Sequence, residues 1–398
     1  MMRILLITLL FSTTYVSAQT KLLRIDRIQL DLAQEHYANS NFIDAYDTFS
    51  ELFENYPENA EILYGMGICK LKRRGEEKSA LPYLLKVKND KKNKNILFYL
   101  ARAYHHNHML DKALISYETY KEKGKGTISN TIVDLEIQKV IKAKELIANP
   151  RNVSILNLGA SINTEYQDAV PVILPDNSGI FFTSRRPESI GGKLDYLGNY
   201  YQDIYYADYS NSKWQTPKNV GSLNSNLHDA SVGISHNGSM FISYRTNENF
   251  SGGDLYYSTK ENDTWGQLKK FSSTINSDFQ ELSACLSPDE NTLYFSSNRP
   301  DGFGGLDLYK SKRLPTGGWG EPTNLGPNIN TDQNEDAPFM HADGKTLYFS
   351  SDGLIGMGGY DIFKSTFGEN NIWSTPTNIG YPINTVEHDI YFTLSSNN

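Results

Sequence analysis

LYFSSNRPDGFGGLDLYKSK at residues 293–312 and LYFSSDGLIGMGGYDIFKST at residues 347–366 are two copies of one unit, and looser copies precede them. Each copy places an Asp two residues before an aromatic: Asp203 before Tyr205, Asp254 before Tyr256, Asp307 before Tyr309 and Asp361 before Phe363. Each then reaches one Trp. Trp214, Trp265, Trp319 and Trp373 are the four in the chain, spaced 51, 54 and 54 residues apart. A fixed period of about 50 residues, built from short strands and turns, is the sequence mark of a β-propeller.

In the last full unit, strands are predicted over 337–341, 346–351, 360–365 and 373–379. Asp343-Gly344 supplies a tight hairpin turn, since both residues tolerate positive φ. Three copies place Gly-Gly before the Asp, at 252–253, 304–305 and 358–359, where a Cβ would hinder the turn. The Asp carboxylate is expected to accept the amide hydrogens of that turn.

A tail repeats as well. It runs from Asn157-Leu158-Gly159 to Asn163-Thr164, from Asn219-Val220-Gly221 to Asn224-Ser225, from Asn324-Leu325-Gly326 to Asn330-Thr331, and from Asn378-Ile379-Gly380 to Asn384-Thr385. A degenerate copy stands at Ile275-Asn276-Ser277. Five tails thus accompany four full bodies, and a fifth body begins at His388-Asp389-Ile390-Tyr391-Phe392. The expectation is a propeller over 151–398 with four full blades plus a partial one. Residues 153–158 would give that partial blade an outer strand and 389–394 an inner one. Unpaired edges of this kind invite aggregation, so the chain reads as a shortened relative of a longer protein.

Residues 19–150 have helical periodicity instead. Ala33, Gly67 and Ala101 are 34 residues apart, and Ala45, Ala80 and Ala113 follow each by 12 or 13. Phe49, Leu84 and Tyr117 come four residues later, and Pro57 closes the first unit. Small residues let antiparallel helices approach, and the larger one fills the gap between pairs. This is the tetratricopeptide pattern. Three units and a capping helix near 128–148 are expected. Tyr64, Arg102 and His105 fall by register on the inner, partner-binding surface.

The first 18 residues read as a secretory signal: Arg3, an apolar core over 4–11 and a small-residue site at Val16-Ser17-Ala18. Export to the periplasm follows as an expectation, with Gln19 the first mature residue. Cys69 and Cys285 are the two cysteines, one in each predicted domain, so a disulfide framework is not expected. Residues 19–150 hold 21 Lys/Arg against 18 Asp/Glu and Arg3 adds one positive charge, which leaves 151–398 at −12 within a net charge of −8. An acidic propeller does not suit nucleic acid, which needs a basic face.

Catalytic patterns fail on their spacing. Gly159-Ala160-Ser161 and Gly233-Ile234-Ser235 lack the second Gly of a nucleophile elbow. Gly344-Lys345-Thr346 lacks the first Gly of a phosphate loop, because Phe339 stands there. The Gly302 to Asp307 stretch resembles a calcium nonapeptide but recurs at the long period, so it reads as a turn. His105 and His108 could share a helix face, yet no third ligand completes a metal site nearby. No catalytic residue, metal or cofactor is expected.

The whole arrangement resembles periplasmic proteins of the Bacteroidetes type in the OmpA family. These combine a signal, tetratricopeptide repeats and a WD40-like (TolB-type) propeller. Ser296-Ser297-Asn298-Arg299 and Gly304-Gly305-Leu306-Asp307-Leu308-Tyr309 carry the likeness best. The family's OmpA-like domain has no counterpart in this sequence, so peptidoglycan binding is not implied. The resemblance implies a non-enzymatic scaffold at the outer membrane, of a secretion system such as type IX, with β-barrel or lipoprotein partners. The alternatives are a propeller that captures a glycan or peptide, and a glycosidase- or peptidase-type propeller enzyme.

Overall fold

The computed structural model describes residues 22–123, 126–190, 192–195, 198–249 and 252–395. The expected signal segment lies outside these residues. The chain divides into two compact units, 1–137 and 138–398. The division falls inside the last helix, whereas the sequence reading placed it at residue 150.

The first unit is helical. Its elements are α1 (Arg24–Ala38), α2 (Phe42–Asn55), α3 (Ala60–Lys70), α4 (Leu81–Lys86), α5 (Ile96–His106), α6 (Leu110–Lys123) and α7 (Asn130–Ala148), the last running across the division. Consecutive helices pack on one another, from α1 with α2 to α5 with α6. The small residues picked out by the period sit at these crossings: Ala33, Ala45, Ala80, Ala101 and Ala113 are all fully buried. A Cβ on Gly67 would stand 2.6 Å from the Leu84 side chain, and one on Gly65 2.3 Å from the Phe49 ring. The aromatic or aliphatic residue of one hairpin therefore occupies the space that the glycine leaves.

The second unit is a four-bladed propeller. Blade one contains β1 (Asp168–Ile173), β2 (Gly179–Ser184), β3 (Asp203–Ser210), β4 (Lys213–Trp214) and β5 (Lys218–Asn219). Blade two contains β6 (Asp229–Ile234), β7 (Met240–Thr246), β8 (Gly253–Glu261), β9 (Thr264–Trp265) and β10 (Lys269–Lys270). Blade three contains β11 (Glu281–Leu286), β12 (Thr292–Ser297), β13 (Asp307–Lys312) and β14 (Thr323–Asn324). Blade four contains β15 (Glu335–Met340), β16 (Thr346–Ser351), β17 (Asp361–Thr366) and β18 (Thr377–Asn378). All pairings are antiparallel. The second strands lie in the middle of their blades, between the first and third strands, and β2, buried at every position, reads as a near-continuous apolar run closed by Thr and Ser.

The fourth strand is shorter than the sequence implies. In blade four only Thr377 and Asn378 join the ladder, while Trp373 makes an isolated bridge to Phe367. Pro376 cannot donate to a ladder there. The tryptophans instead pack across blades. Trp265 meets Phe181 of blade one at 5.9 Å, and Trp373 meets Tyr294 of blade three at 6.3 Å. Trp319 meets Phe271 of blade two at 6.4 Å, whereas Trp214 lies 4.8 Å from Tyr209 of its own blade.

A polar relay joins each outer strand to its blade. In blade four the Asp361 carboxylate accepts from the turn amides of Met357 and Gly358 at 2.8 and 3.2 Å, and from Asn378 Nδ2 at 3.2 Å. Asn378 Oδ1 accepts from Asn384 Nδ2 at 2.8 Å. Asn384 then pairs with the Ile362 backbone, accepting from its N–H and donating to its C=O, both at 2.8 Å. Asp307, Asn324 and Asn330 repeat the arrangement in blade three. Asp203, Asn219 and Asn224 repeat it in blade one. In blade two Lys270 replaces the middle Asn and meets Asp254 at 2.8 Å.

Burial pushes Asp361 up from 3.8 to about 7, against the downward pull of Asn378 and the two amides. Burial likewise lifts Asp203 and Asp389 to about 6. These carboxyls hold a proton in the folded chain that the unfolded chain has already released. Stability from them is complete below pH 4 and falls as pH rises through 6 to 7. The propeller is therefore expected to melt at a higher temperature at pH 5 than at pH 7.5. Asp361→Asn should flatten that dependence; an unchanged slope in this variant would contradict the burial argument. In the helical unit, Gly67→Ala forces a methyl against Leu84 and should cost about 1–3 kcal/mol, measurable as a lower denaturant midpoint.

Candidate functional site

Each unit carries one concave or apolar surface of interest. On the helical unit, α1, α3 and α5 supply Tyr37, Tyr64, Tyr99 and Arg102, all half-buried. Tyr64 and Tyr99 meet edge to face at 5.9 Å. Burial, then the neighbouring Tyr99, raise the Tyr37 and Tyr64 phenols far above their ordinary value. Arg102 makes no hydrogen bond or ion pair among the described residues. Its burial works against its charge, but the Glu136 carboxylate together with Tyr117, Tyr99 and Tyr37 raises its pKa. Glu136 in turn accepts a hydrogen bond from the buried Tyr117 hydroxyl at 3.1 Å. Lys72 stands in the same field. Burial and then Arg102 lower its pKa.

Tyr64 and Arg102 are thus brought together with groups the sequence reading did not single out. His105 is not. It is 5% exposed, in the last turn of α5, where the chain reverses through His108 N–H to His105 C=O and Met109 N–H to Tyr104 C=O. At that exposure His105 is a packed residue. The 34-residue period marks which helix each residue belongs to, but not where the helix ends. Among the described residues, no cluster of three or more His, Cys, Asp and Glu is placed to hold a metal ion.

A second feature of the helical unit is exposed. Leu30 and Ala33 of α1 are fully buried, yet Ile25, Ile28 and Leu32 are 60%, 56% and 38% exposed. Their spacing of three and four residues puts them on one face of the helix. This signal was present in the sequence, where α1 is apolar on two faces.

In the propeller, the inner strands β1, β6, β11 and β15 surround a cavity of about 120 Å³, and residues 391–395 line it beside them. Val170, Val232, Ala284, Ala337 and Phe339 give it apolar walls, with His236, His341, Cys285 and Tyr391 as polar groups. No Asp, Glu, Lys or Arg is among the lining residues. Every inner strand breaks register where it meets the cavity, at 169–172, 231–233, 281–284 and 336–339. Val170, Ala337 and Tyr391 take positive φ of 49°, 50° and 64°, a strained choice for residues with a side chain. Burial raises the Cys285 thiol to about 12.

Asp203, Asp307 and Asp361 are buried relay members, Asp254 is paired with Lys270, and the four tryptophans are packing residues. None of them reaches the cavity lining. A further repeated acid was missed from the sequence. Asp168, Asp229, Glu281, Glu335 and Asp389 open the inner strands, each bonded to a Thr or Ser four residues earlier. The fivefold spacing of Thr/Ser to Asp/Glu would have revealed them.

No protein-family model and no curated protein matches the chain. Solved propellers are similar at low identity. An endo-arabinase from Bacteroides thetaiotaomicron is 15% identical, with 53% of this chain and 80% of that one covered at a TM-score of 0.36. A hypothetical selenium-binding protein from Sulfolobus tokodaii is 12% identical over 52% of this chain and 54% of that one, with a TM-score of 0.30. Prolyl oligopeptidase B from Galerina marginata is 7% identical over 53% of this chain and 28% of that one, with a TM-score of 0.32. The chain thus spans about half the length of the second and about a quarter of the third. These likenesses carry no activity, substrate or partner to it.

Both thiols are expected to resist labelling. Cys69 is fully buried and its thiol is raised to about 12, again by burial. A thiol reagent at pH 8 should count no fast-reacting groups in the folded chain and two after unfolding. Rapid labelling of one in the native state would show that the cavity wall at Cys285 opens.

Proposed function

We propose that this protein is a non-enzymatic scaffold that docks other proteins. The observation that carries the reading is the exposed apolar face of α1, formed by Ile25, Ile28 and Leu32. A contiguous apolar stripe on a helix whose other face is already packed suits a partner groove or helix. The neighbouring tyrosines and the guanidinium of Arg102 offer a second, mixed surface on the same unit. We read the helical unit as tetratricopeptide repeats, with helices packed through small residues at the 34-residue positions.

The setting comes from the sequence resemblance. It is the periplasm, at the outer membrane, with β-barrel, lipoprotein or OmpA-like proteins as partners. The build is similar to that of the PorE component of type IX secretion. No helix among the described residues is long and apolar enough to cross a membrane. A second reading is ligand capture in the propeller, supported by the neutral cavity lined by five inner segments. Such a cavity suits an uncharged group, and it offers paired-carboxylate chemistry no acid among the described lining residues.

The test is site-specific cross-linking from position 32 in the native cells. Capture of an outer-membrane β-barrel, lipoprotein or OmpA-like protein is expected, with loss of that product in Ile28→Asp at unchanged helical content. Unchanged capture in Ile28→Asp would remove the reading.

A further inference from the structure

The first helix of each hairpin in the helical unit places a tyrosine close to the small residue that sets its register. Tyr37 of α1 follows Ala33, Tyr64 of α3 precedes Gly67, and Tyr99 of α5 precedes Ala101, with Arg102 next to it. Lys72 comes just after α3, in a turn where its N–H donates to Cys69 C=O at 3.0 Å. Glu136 of α7 completes the set. Beneath it the packing is apolar. Tyr37, Tyr64 and Tyr99 rest on the core that contains Leu63, Leu84, Ile96 and Leu100. The rings also brace one another: Tyr64 meets Tyr99 at 5.9 Å and Tyr37 meets Phe42 at 5.4 Å, both edge to face.

Arg102 stands apart from the other half-buried arginines. Arg73, Arg185, Arg245 and Arg299 each reach a carboxylate, and Arg313 lies over the Trp319 ring at 5.3 Å. Arg102 makes neither kind of contact among the described residues. Its guanidinium has five donors, and polar groups at this depth are ordinarily bonded. Burial opposes its charge, yet Glu136 with Tyr117, Tyr99 and Tyr37 keeps it a cation. Glu136 acts through its field and accepts a bond from the Tyr117 hydroxyl instead, at 3.1 Å.

The charges do not balance. Lys72 lies close enough for Arg102 to lower its pKa, after burial, so two cations stand with one carboxylate. A single added negative charge would restore neutrality. A phosphate dianion would overshoot it, and a metal cation would be repelled. The planar fork of an arginine matches a carboxylate through two parallel N–H bonds, which a lysine cannot do. The Tyr64 hydroxyl adds a phenol donor beside it, with no hydrogen bond of its own among the described residues.

We infer that Arg102 seats an acidic side chain, Glu or Asp, of an extended segment of a partner protein, with Lys72 beside the carboxylate and Tyr37, Tyr64 and Tyr99 under the flanking residues. This deepens the docking reading and rests on it for the kind of partner. It does not rest on the α1 stripe. Tyr37 is nine residues beyond Ile28, about two and a half turns along α1, which puts it on the opposite side of the helix.

The probe is an array of nine-residue peptides, acetylated and amidated, with one central Glu among randomised uncharged residues. Matching arrays carry Gln or phosphoserine at the centre. The full chain is expected to retain Glu peptides about tenfold over Gln peptides, as for a charge-assisted bond. Arg102→Gln should abolish that preference at unchanged helical content, and Arg102→Lys should keep part of it. Lys72→Gln, at a more exposed position, should reduce it severalfold. Ile28→Asp should leave it intact, so failure of the α1 stripe as a docking face and failure of this site give different results. Equal retention of Glu and Gln peptides overturns the inference, as does a preference that survives both Arg102→Gln and Lys72→Gln. Stronger retention of phosphoserine than of Glu overturns it in favour of a phosphate ligand. A dimer of the free chain that Arg102→Gln dissolves also overturns it, since the occupant would be a second copy.

Discussion

The propeller depends on one contact: an asparagine side chain that stands in for a strand. Asn224, Asn276, Asn330 and Asn384 each pair with one backbone amide and one carbonyl of the third strand of their blade. The fourth strands are only two residues long in the ladder, too short to hold the outer edge by backbone bonds alone. The asparagine extends that edge. It also fixes where the chain leaves one blade and begins the next, five residues before an acid that leads the following inner segment. Removing its partner would leave a buried amide unsatisfied, at a cost of about 1–3 kcal/mol, so the contact has to be made in every blade.

A second asparagine in the relay, Asn219, Asn324 or Asn378, explains why acids are tolerated inside. Asp203, Asp307 and Asp361 are 0–1% exposed, which would be prohibitive for bare carboxylates. Each is surrounded by turn amides and one asparagine amide. Where the asparagine becomes Lys270, the acid Asp254 is less buried and the relay is replaced by an ion pair. The geometry survives because an ammonium and an amide N–H both donate. Blade two thus shows which feature is essential, a donor facing the Asp, and which is negotiable, the identity of the group carrying it.

The propeller was legible because its period repeats both patterning and turn chemistry. Asp-x-aromatic and Asn-x-Gly are local, and each copy reports the others. Strand limits were less legible. The sequence of 373–379 looks like a full strand, but Pro376 and the cross-blade packing of Trp373 leave two residues in the ladder. The helical unit shows the opposite balance. Ala33, Gly67 and Ala101 gave the packing register, yet His105 lies under a chain reversal that no period encodes. Lys72 and Glu136 join Arg102 only through tertiary placement, so no spacing could have named them.

An incomplete repeat is informative because the complete copies define what it lacks. A lone exposed Leu158 or a lone half-bonded Asn163 would mean little, since single exposed apolar residues are ordinary. Here the full blades state the partners of the corresponding positions, and Arg151 ties the start of the propeller to the blade-four tail at Ile379 and Tyr381. The strain adds a further constraint. Tyr391 takes a positive φ of 64°, beside 49° at Val170 and 50° at Ala337, and lines the same cavity.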